Sequence, residues 1–440
     1  MIRVTSDMYA EYLRYTNRFR HIPYYIDALK LVERRILLTL NDVAKVKLIK
    51  SARVVGDTIG KLHPHGDVST YDALVGLVNR GFAVGSGNWG RPGFLEDDRA
   101  AAYRYSECKV QKGLNDIIME FLDYVPWEEI EYANEPIYYA NPIPIGLVGS
   151  DFITGIGVDT IKCPRYSSND LFKRLLYLLN NQTPETIIPN ISGCDIYEEE
   201  PGEFERILQT GKGSVQVVPK ITKRYDHIII EGRSPLKGFG PLIAFNNKWK
   251  DKNKIEYFEH VDLSGDRMPL EIQIYPPRNA PLTTAFTNTI WQKISQKVNV
   301  ICNFIGPDLK TEIFGIDTLL VEAYKNWKET HLVKLNDDQR RAEKKIFELD
   351  VVQVVRDIMT HNPNCKRVDD VIAAFIPHQK HFPMIHPDDI KGVVGKFSIK
   401  ALIEKDLNQQ DYRNEVQQII INKGNIDKLS IDRVNGYVNK

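Results

Sequence analysis

The segment Glu96-Asp97-Asp98-Arg99-Ala100-Ala101-Ala102-Tyr103-Arg104-Tyr105-Ser106-Glu107 places two phenols on either side of a guanidinium. A phenol ionises near pH ~10, so a tyrosine that attacks at neutral pH needs positive charge beside it, to hold the phenolate and to offset charge at a pentavalent phosphorus. Arg104 can give that charge to Tyr105 only where the backbone is irregular, because neighbours on a strand or helix point apart. With 21 tyrosines in the chain, this chemistry alone does not single out Tyr105. A second constellation, His63-Pro64-His65-Gly66-Asp67, sets two imidazoles in a turn fixed by proline and glycine. Both rings can donate to phosphate oxygens. The alternatives are a metal pair or histidines satisfied within the turn, and i, i+2 spacing without a nearby cysteine disfavours zinc.

The elements that must position these groups follow from the flanking pattern. Ser51 to Gly60, a turn over Lys61 to Gly66, and a run from Asp67 onward read as helix, turn, helix. In the second helix Tyr71, Leu74, Val75 and Val78 recur at the spacing of one buried stripe, and Asp67 can cap its first turn. Such a hairpin can set its second helix at a DNA groove while basic neighbours hold phosphates. Between Arg14 and Lys61 eleven basic residues stand against four acidic ones, a local charge of +7 inside a chain whose 58 basic and 58 acidic residues cancel. The stretch Gly85-Ser86-Gly87-Asn88-Trp89-Gly90-Arg91-Pro92-Gly93 lacks the Lys-Ser/Thr ending of a P-loop and reads as a shaped loop that delivers the tyrosine segment.

A length of 440 residues exceeds one hydrophobic core, so several modules are expected. No apolar run approaches the ~18 residues of a membrane span, which argues against membrane insertion. Five scattered cysteines without a Cys-x-x-Cys pair, and an N-terminus without signal-peptide character, point to free thiols in the cytoplasm. From about Pro142 to Tyr275, β-branched runs such as 213–218 and 227–230 alternate with turn residues, the pattern of a sheet-containing domain. Glu198, Glu199, Glu200, Glu203 and Glu205 read as a solvated acidic surface. From Asp317 to Met359 there is neither proline nor glycine, and large residues recur in steps of three and four. That predicts an amphipathic helix on the order of 60 Å long, with Phe397 to Ile421 as its antiparallel partner.

Lys50 to Asp67, taken with Ala100 to Glu107, resembles the breakage-reunion subunit of type IIA DNA topoisomerases, the gyrase A and topoisomerase IV A family. Upstream, Arg20-His21-Ile22-Pro23 and Asp27 to Leu37 resemble its Arg-Ala-Leu-Pro and Asp-Gly-Leu-Lys-Pro-Val-His-Arg-Arg stretches. The resemblance implies a multidomain α+β fold: an N-terminal arm (1–20), a winged-helix cleavage domain (21–140), a mixed α/β tower (141–305), and a long antiparallel coiled coil with a helical dimer gate (306–440). It implies that Tyr105 is the nucleophile, assisted by Arg104 and Arg20. Lys30, Arg34, Arg35, Lys50, Arg53, Lys61, His63 and His65 fall on positions that face DNA or flank those that do. Ile153 or Ile156 would be an apolar wedge between bases, although a straight register puts Thr154 there. Two departures stand out: Glu33 replaces a histidine before the double arginine, and Val68 replaces the serine that supports quinolone binding, while Asp72 keeps the nearby acidic position.

The function so implied is transient double-strand cleavage through a 5′-phosphotyrosine and strand passage that relaxes or decatenates DNA. The expected partners are double-stranded DNA, a second copy of the chain, and an ATPase/Toprim subunit that brings ATP and Mg2+. No metal or cofactor is expected on this chain alone. In length the chain is similar to the medium subunit of the T-even bacteriophage topoisomerases, which implies the cytoplasm of a bacterial host. One rival is a non-catalytic helix-turn-helix DNA-binding or architectural protein. Another is a structural metal protein using His378, His381, His386 and Asp388.

Overall fold

The computed structural model describes residues 16–438 apart from 92, 131–132, 158, 233–235, 266–269, 278–279, 363–364, 366 and 395–408, and apart from the side chains of 393 and 394. Most of the expected N-terminal arm therefore lies outside the described residues. The chain divides into two compact units, residues 1–327 with 433–440 and residues 328–432. The division falls inside the long helix rather than at residue 306. The architecture is mixed α+β, with many helices and several small antiparallel sheets.

The first module of the larger unit is built from α1 (Leu31–Val43), α2 (Ser51–Lys61) and α3 (Asp67–Asn79). It also holds an antiparallel sheet of β1 (Ile49–Lys50), β2 (Ala83–Ser86) and β3 (Glu107–Val110), ordered β1-β3-β2. Helix α2 buries Ser51, Val54, Val55 and Thr58, an i, i+3, i+4, i+7 stripe that faces the core. Its opposite face carries Lys50, Arg53, Asp57 and Lys61 in one row. Leu29, Ile36, Leu40, Val54, Leu74, Leu77 and Cys108 close the shared core.

Helix α3 departs from the expected stripe. Its buried residues are Thr70, Tyr71, Leu74 and Leu77, while Val75 and Val78 are half-buried. Both valines still pack against the helical core, and Val75 also borders the loop over 97–103. Gly66, not Asp67, is the N-cap, and no side chain caps the helix there. The Asp67 carboxylate instead accepts a hydrogen bond from the Tyr103 hydroxyl at 3.0 Å.

The middle of the chain forms two antiparallel sheets. One is ordered Phe152–Ile156, Thr160–Pro164, Gln296–Ile301, Lys212–Pro219, Cys194–Glu198; the other is ordered Ile221–Lys223, Ile228–Ile230, Ile272–Tyr275, Glu259–Asp262. The β-branched runs fall on Lys212–Pro219 and Ile228–Ile230 because alternate residues such as Val215 and Val217 enter the core. The acidic stretch is not merely solvated. Glu198 accepts the backbone N–H groups of Gly202 and Phe204, Glu203 accepts that of Ser214 at 2.8 Å, and Glu205 pairs with the buried Arg174 at 2.8 Å. Each carboxylate meets donors that folding would otherwise leave unsatisfied.

The long helix runs over Ile316–His361, 46 residues. In the larger unit it buries Leu319, Leu320, Tyr324 and Trp327 in the main core, and Arg174 clamps Asp317 at 2.7 Å. In the smaller unit Leu335 packs with Ile419 and Ile426. Lys423 donates to Gln339 and Gln409 to Asp350, each at 2.8 Å, so the segment around Gln410–Gly424 runs antiparallel to the helix. Of the expected partner segment, 397–408 lies outside the described residues.

Candidate nucleophile and basic cavity

Residues 103–105 form a turn in which the Tyr105 N–H donates to the Ala102 carbonyl at 2.8 Å. The turn is fixed to the start of α2. Ser51 N–H donates to the Ser106 carbonyl at 3.0 Å and Ala52 N–H to the Tyr103 carbonyl at 3.1 Å, which satisfies two of the helix's orphan donors. The buried Ser106 hydroxyl joins Ser51 Oγ at 2.8 Å and the Tyr71 hydroxyl at 2.9 Å. On the entry side Gly90 is left-handed at φ +81°, and a Cβ there would meet the backbone of Asp98 and Ala100 at 3.0 Å. Glycine is required for the loop to close against itself through the Arg91 and Asp98 backbone pair.

This turn separates two phenols that composition could not. Tyr103 is tied to Asp67, whose carboxylate holds its pKa above the ordinary value. Tyr105 is 66% exposed, with the Arg104 guanidinium 4.7 Å from its ring centroid. The hydrogen bond and charge of Arg104 hold the Tyr105 phenol below its ordinary pKa. Burial pushes Tyr24, Tyr71, Tyr139 and Tyr166 the other way. The irregular backbone that lets sequence neighbours meet is the turn itself.

Arg20, Lys30, His63, His65, Arg80 and Arg165 line a cavity of about 700 Å³ on the other side of α3. Tyr105 does not line it. His63 is 4% exposed, its ring stacks on that of His65 with centroids 4.2 Å apart, and its Nδ1 lies 2.9 Å from Arg35 Nη1. A guanidinium only donates, so Nδ1 accepts and the proton sits on Nε2. Burial first, then His65, Arg35 and Arg20, push the His63 pKa down to about 3. His63 is a neutral donor at neutral pH. Lys30 Nζ donates to the Thr154 carbonyl at 2.7 Å, and burial holds its pKa below the ordinary value.

The remaining expected site residues fall into three groups. Lys50, Arg53 and Lys61 are exposed along α2, near Glu107, Asp57 and Asp42 respectively. Arg34 and Arg35 are not surface cations: Arg34 is buried against Asp27 at 2.8 Å, and Arg35 against Glu135 at 2.5 and 2.7 Å. Asp27 already stands against Arg34 in the +7 count, so only the Arg35–Glu135 pair takes a charge from it, and both arginines leave direct phosphate contact to others. On the hairpin Phe152–Ile156/Thr160–Pro164, Ile153 is 2% exposed in the core, whereas Ile156 is 77% exposed. A residue locked in the core cannot wedge between bases, so Ile156 and the exposed Thr154 are the available candidates. Among the described residues, His378, His381, His386 and Asp388 included, no three His, Cys, Asp or Glu side chains converge as a metal ion would need. No described helix is long and apolar enough to cross a membrane. Sequence reasoning missed Arg80 and Arg165, because nothing in linear spacing ties either to residues 20–65.

An exposed phenol under an arginine, on a turn anchored to α2 with its exposed Lys50, Arg53 and Lys61, is the arrangement a tyrosine nucleophile at a charged surface would need. Residues 20–430 match the family of the DNA gyrase/topoisomerase IV A subunits, and the chain belongs to this family. It is 30% identical over 345 residues to the DNA topoisomerase 4 A subunit of Haemophilus influenzae, covering 72% of this chain and 45% of that protein. It is 28% identical over 366 residues to the DNA topoisomerase 4 A subunit of Neisseria gonorrhoeae, covering 73% and 47%. With the DNA gyrase A subunit of Campylobacter jejuni it shares 35% identity over 244 residues, covering 50% and 27%. The chain spans about half the length of the two topoisomerase 4 subunits it matches.

Proposed function

We propose that this chain is the DNA cleavage and religation subunit of a type IIA topoisomerase, with Tyr105 as nucleophile. The observation that carries the reading is the exposed Tyr105 phenol under Arg104, on a turn anchored to the basic helix α2. Tyr105 Oη attacks a backbone phosphorus; the P–O3′ bond breaks, the 3′ oxygen leaves and takes up a proton, and a 5′-phosphotyrosine ester remains. Attack by the 3′ hydroxyl reverses the step without nucleotide, because the ester conserves the bond energy. Arg104 offsets charge at the phenolate and at the transferring phosphate. Arg20, His63 and His65 supply donors to DNA phosphate in the cavity.

Arg20 lines a cavity that Tyr105 does not, so the reading places Tyr105 of one copy against the cavity of a second copy. Mg2+ and ATP are assigned to an ATPase/Toprim partner, as the resemblance implies. Its finer form takes residues 21–140 as a winged-helix domain, 141–305 as the tower, and the long helix with its antiparallel partner as a coiled coil ending in a dimer gate. It also takes the chain as similar to the medium subunit of the T-even bacteriophage topoisomerases, a likeness carried by sequence alone. The test mixes the full chain with duplex DNA, Mg2+ and the partner subunit, then denatures and counts protein-linked breaks. Tyr105→Phe keeps the ring but not the oxygen, so adducts are expected to vanish with DNA binding retained; adducts that persist in the variant would sink the assignment.

A further inference from the structure

Glu33 sits where the resemblance expects a histidine near DNA, and an acid beside phosphate is the wrong charge. The structure supplies its reason. The Glu33 carboxylate accepts the Lys30 N–H at 2.9 Å at the start of α1 and pairs with Arg80, the residue that ends α3. The Arg80 side chain is 8% exposed and stacks over Phe82 at 5.2 Å. Its Nε donates to the Gly76 carbonyl at 3.2 Å and its Nη2 to Glu33, while Nη1 has no partner among the described residues. Arg80 and Glu33 both line the cavity that holds Arg20, His63 and His65.

A buried guanidinium nitrogen without an acceptor is costly, so Arg80 Nη1 calls for an acceptor oxygen. The surrounding charge agrees. Arg80, Arg165 and Lys30 all act on Glu33, and Asp151 is committed to Arg165, so three cations here meet two carboxylates. Exposed Arg20 adds a positive charge to the same cavity and exposed Asp72 a negative one, so four cations there meet three carboxylates. Burial holds both Lys30 and Arg80 below their ordinary pKa values, as expected of cations short of counter-charge.

We propose that Arg80 is a phosphate-binding residue of this cavity, which Glu33 orients by holding one edge of the guanidinium so that Nη1 is left for a DNA backbone phosphodiester. The assignment rests on the DNA-cleavage reading above and adds a contact to it. Glu33 is then a positioning residue, and the acid and its arginine act together as one cation aimed at DNA.

The experiment measures duplex binding by the full chain across a range of salt concentrations, with thermal melting as a control for folding. Glu33→Gln/Arg80→Met removes both buried charges at once, so no carboxylate is left unpaired. Loss of one phosphate contact lowers the slope of log affinity against log salt by about 0.9 and weakens binding. An unchanged slope in the folded double variant overturns the proposal, because Arg80 then serves only to neutralise Glu33. Should the double variant not fold, Arg80→Lys keeps a charge opposite Glu33, but a single ammonium cannot span carboxylate and phosphate as a fork does. Weaker binding at an unchanged melting temperature is expected; wild-type affinity overturns the proposal. A wild-type chain without affinity for duplex overturns this proposal and the function together. A chain that binds with a salt slope shared by the variants overturns this one alone.

Discussion

His63 is held neutral by its surroundings, and that has a consequence for stability. In the unfolded chain its ring binds a proton near pH 6.5, in the folded chain only near about 3. Between those values the unfolded state carries more protons, so stability rises with pH through the window. The contribution is complete above about pH 6.5 and is lost as pH falls toward 3. His63→Asn removes the titration while keeping an acceptor for Arg35. From about pH 7 to about pH 5 the wild type is expected to lose on the order of 2 kcal/mol more stability than the variant, read from thermal melting at both values. Equal losses would show that His63 titrates normally in the fold. At this scale the sequence points to residues whose surroundings it cannot show. The motif points to Tyr105, yet only the Asp67 tether on Tyr103 and the Arg104 stack on Tyr105 explain why one phenol of the pair is free. Arg34 and Arg35 count as surface charge in the sequence because a linear count cannot see that Asp27 and Glu135 lie opposite them.

At the scale of elements, α1 carries most of that misreading and offers a direct check of it. Arg35 is 4% exposed at its side chain and Glu135 2%, the latter on the hairpin Trp127–Ile130/Ala133–Pro136. The pair ties α1 to that hairpin, and the same guanidinium fixes the His63 tautomer. Arg35→Met strands a buried carboxylate, a change that costs about 3 kcal/mol or more. Chemical denaturation is expected to show that loss while the salt dependence of DNA binding, measured where the variant is folded, stays at the wild-type slope. A shallower slope would return Arg35 to the phosphate-contacting set. Helical periodicity is legible wherever one face meets one core, as in the 51, 54, 55, 58 stripe of α2 and the start of the long helix. In α3 the expected Tyr71, Leu74, Val75 and Val78 all meet the core, but the two valines stay half-buried, and Val75 also borders the tyrosine loop. The acidic stretch around Glu203 misleads because carboxylates that accept backbone N–H groups look in sequence like any solvated run.

For the whole molecule the decisive feature is that the two sets of proposed site residues lie at different places on one chain. Arg104 and Tyr105 share an exposed turn, while Arg20, His63 and His65 share a cavity that Tyr105 does not line. If a complete site combines Tyr105 of one copy with the cavity of another, two inactive variants can repair each other. Tyr105→Phe lacks the oxygen nucleophile, and Arg20→Ala lacks the cavity arginine. When the two are mixed and allowed to exchange partners, about half of the pairs contain one of each. In such a pair, Tyr105 of the Arg20→Ala chain meets the intact cavity of the Tyr105→Phe chain, and one wild-type site is restored. The opposite site then carries both defects. The expected product, with Mg2+ and the partner subunit present, is protein-linked DNA nicked in one strand, formed by the mixture but by neither variant alone. Were each site built within a single chain, every site in every pair would carry a defect, and the mixture would be as inactive as its components. Gel analysis of denatured reactions separates the two architectures, and the appearance of single-strand rather than double-strand breaks identifies the repaired site as one per pair.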